Sequence, residues 1–134
     1  MKRILNLLIT GLVLFCSCSG NISQNALLRN NQVSLSVDGK EIMHYDNNLC
    51  QMGFNRGKGE FRVHTDNMSD YFVITLGCVP TETGKSVTGD VVWTTHNAEQ
   101  SRKGVAFDVL KVEGDKIWLW SGPSKVGAVV RVLE

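Results

Sequence analysis

Proline is scarce, with two residues in 134, and no segment repeats another, which excludes collagen-like and proline-rich chains. Excess charge is missing too. Lys+Arg number 14 against 13 Asp+Glu, a formal charge of +1, which excludes a strongly basic nucleic-acid binder and an acidic solvating tail. No nucleic-acid partner is expected. Hydrophobic residues are 43% and charged residues 20%, ordinary globular usage, so intrinsic disorder is excluded as well. Beyond the first residues no stretch of ten or more keeps a 3.6-residue apolar period, and a parallel βαβ architecture needs such helices for its crossovers. The length allows one domain.

Catalytic patterns are equally sparse. No Gly-x-Ser-x-Gly elbow occurs. His44, His64 and His96 lie on three separate segments without the short spacing of zinc ligands. His64 alternates with Glu60 and Arg62 on a polar strand face and reads as a solvated side chain, while His96 opens a polar loop and His44 precedes Tyr45, and none of the three has a catalytic role. Ser121 and Ser124 beside Lys125 resemble a Ser–Lys pair, but Ser-Gly-Pro-Ser-Lys is more simply a turn. Asp90, Asp108, Glu113 and Asp115 are scattered and form no evident acid–base pair. Arg56-Gly57-Lys58-Gly59 offers cations and free amides but lacks the strand–loop–helix setting of a phosphate loop, and reads as a hairpin turn. No metal and no cofactor is expected, and the chain reads as a non-enzyme.

What is present starts at the front. Lys2 and Arg3 precede an apolar run from Ile4 to Phe15, about 12 residues, too short for a hydrocarbon core that needs roughly 20. A basic start and a short apolar run are the layout of a secretory signal. The following Phe15-Cys16-Ser17-Cys18-Ser19-Gly20 resembles the lipobox of bacterial lipoproteins, in which a cysteine after a small residue becomes the lipidated first residue. Cys18 follows small Ser17 and fits. Cys16 follows bulky Phe15 and fits less well. The resemblance covers only these residues, and the signal-plus-small-domain layout is similar to small lipoproteins of Gram-negative bacteria, Bacteroidota especially. It implies a signal peptide over 1–17, acyl chains on Cys18, and membrane attachment at the outer membrane or periplasmic face of the envelope. Removal of residues 1–17 takes Lys2 and Arg3 and no acid, leaving 12 basic against 13 acidic side chains, so lipid rather than charge would hold the body at the membrane. Residues 18–31 read as a flexible tether, with Ala26 to Arg29 capable of one marginal helical turn.

From residue 32 to 134 the dominant period is two. Val33, Leu35 and Val37 alternate with serines, Asp38-Gly39 is a hairpin turn, and Glu41 to Tyr45 returns. Further strands are expected over 49–54, 60–65, 71–78, 87–95, 105–113, 116–121 and 126–133, with His96 to Gly104 as the most polar loop. Phe61, Val63 and Thr65 face one way in the cleanest alternation of the chain. Eight or nine strands with a turn about every ten residues predict an all-β, mainly antiparallel domain, a sandwich in preference to the alternative, a closed or partly open barrel.

Two features carry chemistry. Cys50 and Cys78 are the cysteines left behind the signal, and in an oxidising compartment they are either a disulfide closing about 30 residues or two separate buried thiols. Trp118 and Trp120, at i and i+2 of one strand, project from one face and form either a core or a platform for a sugar or a protein partner. Ile117 and Leu119 take the other face, so this strand should be covered on both sides. The functional expectation is an envelope lipoprotein that binds a carbohydrate, a small ligand or an envelope protein. The alternatives are an inhibitor or immunity-type lipoprotein working through Asn97 to Gly104, and a small hydrolase whose site forms only in three dimensions.

Overall fold

A computed structural model describes residues 23–133. The signal segment and Cys18 lie outside these residues, so the lipidation expected there is not visible. A six-residue helix, α1 (Gln24–Arg29), precedes nine strands: β1 (Ser34–Val37), β2 (Lys40–His44), β3 (Cys50–Asn55), β4 (Glu60–Thr65), β5 (Tyr71–Thr75), β6 (Ser86–Thr95), β7 (Ala98–Glu113), β8 (Lys116–Ser121) and β9 (Val126–Arg131). The fold is all-β and antiparallel at every pairing.

The nine strands form one sheet in the order β2-β1-β9-β8-β7-β6-β5-β4-β3, not the two facing sheets of a sandwich. Its two edge strands are consecutive in sequence and joined by residues 45–49 alone. Five residues bridge at most about 20 Å, so the sheet has to curl until its edges approach. One direct contact marks the approach: Cys50 Sγ, at the start of β3, lies 3.9 Å from the carbonyl oxygen of His44 at the end of β2. The result is a partly open barrel. Periodicity could not choose this form over a sandwich, because the sheet is continued by β1 pairing with β9 across some ninety residues of chain.

The concave side holds one core. Leu35, Phe61, Val63, Phe72, Ile74, Val91, Phe107, Val109, Ile117, Leu119 and Ala128 are all buried there, drawn from β1 and β4 through β9. Alternation puts them there: Phe61 and Val63 are buried while Arg62 between them is exposed. Tight turns return the chain. Asp38 and Gly39 both have positive φ (54° and 82°), as do His96 and Asn97 (52° and 68°), the combination that lets a two-residue loop match the twist of its strands. The second of these turns corrects the polar-loop expectation. Residues 98–104 continue β7, pairing with β6 from Gly89 to Thr95. Both faces of that stretch are exposed or half-buried, so no apolar alternation announces it.

The two ends of the barrel are covered differently. Loop 76–85 closes the lower end: Leu76 is buried, Val79 packs on the core, and Val109 and Lys85 are hydrogen-bonded through their backbones at 2.8 Å. Gly59 is required at this end, because a Cβ there would lie 2.5 Å from the Cys78 carbonyl oxygen and its φ is +59°. At the upper end sit the turns 38–39, 66–70, 96–97 and 122–125. Arg102 ties two of them together, bonding the Asp38 carboxylate at 3.0 Å and the Ser124 carbonyl.

The convex side is covered at one place. Against expectation, the proposed tether is structured from Ser23 onward. Ser23 caps α1 by accepting from Ala26 N–H at 3.1 Å, and Leu27 is buried with Trp118 and Val129 in a second apolar cluster. A six-residue helix does not persist alone. Here packing on β8 and β9 stabilises it. Among the described residues no helix is long and apolar enough to cross a membrane.

Candidate functional site

The residues singled out by sequence fall into three places. Trp118 and Trp120 lie on one face of β8, and both faces of that strand are covered. Ile117 and Leu119 enter the main core, while Trp118 is 2% exposed beneath α1 and donates its indole N–H to the Asn30 carbonyl at 2.8 Å. The Lys111 ammonium lies 4.4 Å from its ring centroid. Trp118 therefore has no surface for a ligand. Trp120 is half-buried beside Gly127, where a Cβ would stand 3.0 Å from its ring and 3.2 Å from Leu27. The pair holds the helix on the sheet.

Cys50 and Cys78 are both free thiols, Cys50 buried and Cys78 exposed. Strand geometry explains why they do not meet. Cys50 pairs with Thr65 at one end of β4, and the Cys78 backbone packs on Gly59 just before the other end. Six residues of strand separate those ends, about 20 Å, whereas a disulfide needs α-carbons within about 7 Å.

The third place is the open upper end. Between edge strand β2 and the ends of β3, β4, β5 and β6 lies a cavity of about 800 Å³. Ile42, Met43, Leu49 and Cys50 give it an apolar side, and Thr65, Thr94 and Thr95 line the strand ends. His44 and His96, which the sequence leaves as unrelated residues, both line it, as do Glu41, Asp46 and Asp70. His44 Nδ1 is 2.9 Å from Glu41 Oε2, an exposed pair on β2. His64 is elsewhere, its ring nitrogen 3.0 Å from the Thr65 carbonyl. Among the described residues no three His, Cys, Asp or Glu side chains converge in a way that could hold a metal ion.

Two properties set this cavity apart. The Thr95 hydroxyl oxygen is buried and has no hydrogen-bond partner among the described residues. Buried polar groups are nearly always satisfied, and an orphan is costly. Leu49 and Met68, 62% and 58% exposed, are the large hydrophobic residues most open to solvent among the described residues. Leu49 lines the cavity and its carbonyl accepts from Asp66 N–H at 3.0 Å, while Met68 sits in the adjoining turn between Thr65 and Asp70 with φ +64°. Around the rim, Arg102 donates to Asp38 and holds that carboxyl below the usual aspartate range, despite a small opposing desolvation. Glu99 accepts the Tyr71 hydroxyl hydrogen and raises the pKa of that phenol.

The remaining candidates are structural. Ser121 Oγ accepts from Ser124 N–H at 3.3 Å, closing the turn that superficially resembled a Ser–Lys pair. Asn55 Oδ1 accepts from Lys58 N–H at 3.1 Å and Gly59 N–H donates to the Arg56 carbonyl, an ordinary hairpin turn. Asp90 accepts from Gly104 N–H at 2.9 Å across the β6–β7 bulge. Sequence reasoning had no means of finding the cavity, since its walls are neighbours only once β1 pairs with β9. The one local signal is Asp46-Asn47-Asn48, a polar break that in this fold joins the two sheet edges.

Comparison with protein-family models, with curated proteins and with solved structures returned no match to this chain.

Proposed function

We propose that this is a non-enzymatic envelope lipoprotein, acylated at Cys18 and held at the outer membrane or periplasmic face, whose open barrel mouth binds a small ligand or the apolar side chain of an envelope protein. The observation that carries the binding reading is the cavity of about 800 Å³. Its volume falls in the range of small-molecule sites, and an apolar side of Ile42, Met43 and Leu49 faces polar and charged groups from the strand ends. Leu49 and Met68 on the rim extend it outward as an apolar lip, of the kind that marks contact surfaces when apolar residues cluster. No set of side chains in the mouth pairs a nucleophile with a base, and the ordinary use of such a site is recognition.

A photo-reactive side chain at Leu49 tests this in the native envelope, with the same group at Lys58, an exposed residue of the closed end, as reference. Discrete adducts at Leu49 and none at Lys58 are expected. Equal adducts at both positions, or none at Leu49, contradict the reading. The inhibitor-type alternative draws on one observation: residues Ala98 to Gly104 pair with β6 alone and are exposed or half-buried, forming a projecting hairpin rather than a loop.

A further inference from the structure

We infer that the barrel stands on its α1 side, so that the surface over β1, β9 and β8 faces the lipid bilayer. This rests on the lipoprotein reading of Cys18 and adds an orientation to it. The sequence predicts a tether over residues 18–31, but the chain is fixed to the barrel from Ser23. Trp118 donates to the Asn30 carbonyl at 2.8 Å, Lys116 Nζ to the Asn31 carbonyl at 2.7 Å, and Asn30 Nδ2 to Ser34 Oγ at 2.9 Å. Leu27 is buried against the same wall.

Only residues 19–22 then separate the acylated cysteine from the body. Fully extended, the five steps from Cys18 to Ser23 reach about 18 Å. A body of this length has a radius of gyration of about 13 Å, hence a diameter of roughly 34 Å. With the opposite wall, β4 and β5, turned to the membrane, Ser23 would stand farther from the bilayer than the leash reaches. That orientation is excluded by length alone.

The chemistry of the surface agrees with the headgroup level of a bilayer. Trp120 is half-buried, Arg29 is exposed at the end of α1, and Lys111 and Lys116 flank the helix. Lys111 also pairs with Glu113 at 3.1 Å, so charge adds little and the leash sets the orientation.

The test uses the acylated full-length protein with Cys50→Ala and Cys78→Ser, which removes both free thiols of the body, bound to vesicles of phosphatidylethanolamine and phosphatidylglycerol. A single thiol is placed by Asn25→Cys on α1 or Arg62→Cys on β4, both exposed positions. Labelling by a bulky polymer maleimide is normalised to labelling by a small one. Asn25→Cys is expected to react about tenfold more slowly than Arg62→Cys, given a leash of that reach. An insert of about 20 Gly/Ser residues after Gly20 should abolish the difference. Equal normalised rates without the insert overturn the orientation while leaving the anchor intact. Absence of acyl chains on Cys18 in the mass spectrum of the same preparation overturns the anchor, and the orientation with it.

Discussion

The Thr95 hydroxyl is buried at the cavity wall without a partner, so the native fold carries the desolvation penalty of an unmade hydrogen bond. Thr95→Val keeps the shape and removes the orphan. It should raise stability by about 1 kcal/mol in urea denaturation. Arg102 makes a different contribution at the same rim. It depresses the folded pKa of Asp38, so the pair stabilises at pH above the ordinary aspartate value of 3.8 and loses that stabilisation as pH falls below it. Both side chains are substantially solvated, so Arg102→Ala should cost no more than about 1 kcal/mol at neutral pH. The difference from the parent should vanish in acid, as read from denaturation midpoints across the pH range.

Individual elements differ in how plainly their residues announce them. Strand β4 is legible because Phe61 and Val63 must be buried and Arg62 must not, and its bounds are as expected. The twin-faced β8 is legible for the same reason, since Ile117 and Leu119 demand one cover and Trp118 another. The beginning of β7 is not, because Glu99, Gln100, Ser101 and Lys103 have no buried face to report. Helix α1 fails differently: six residues cannot display a helical period, and its stability lies in a wall of the sheet that is remote in sequence. Leu27 is the test of that dependence. Leu27→Ala should destabilise the fold by about 2–3 kcal/mol and raise the fluorescence sensitivity of Trp118 to quenchers. A change confined to helix content, with no loss of global stability, would show α1 to be an independent appendage.

At the scale of the molecule the decisive fact is that one sheet contains both its edges within a five-residue connection. Alternation specifies eight or nine strands and which side of most of them is buried, but it is silent on how the sheet closes. The pairing of β1 with β9 decides it, and with it the open mouth and the proximity of His44 to Thr95 and His96. The cysteine and tryptophan candidates were legible as residues but not as neighbours, which is why the mouth and not the tryptophan face emerges as the place for binding. The central claim is thus that recognition occurs at the barrel mouth, and amide hydrogen exchange reads it most directly. The protein isolated together with a bound ligand or partner should show slowed exchange at Glu41 to His44 and Thr94 to Asn97 relative to the stripped protein. Protection restricted to β4 and β5 on the closed wall, or an unchanged pattern at the mouth, would contradict the account.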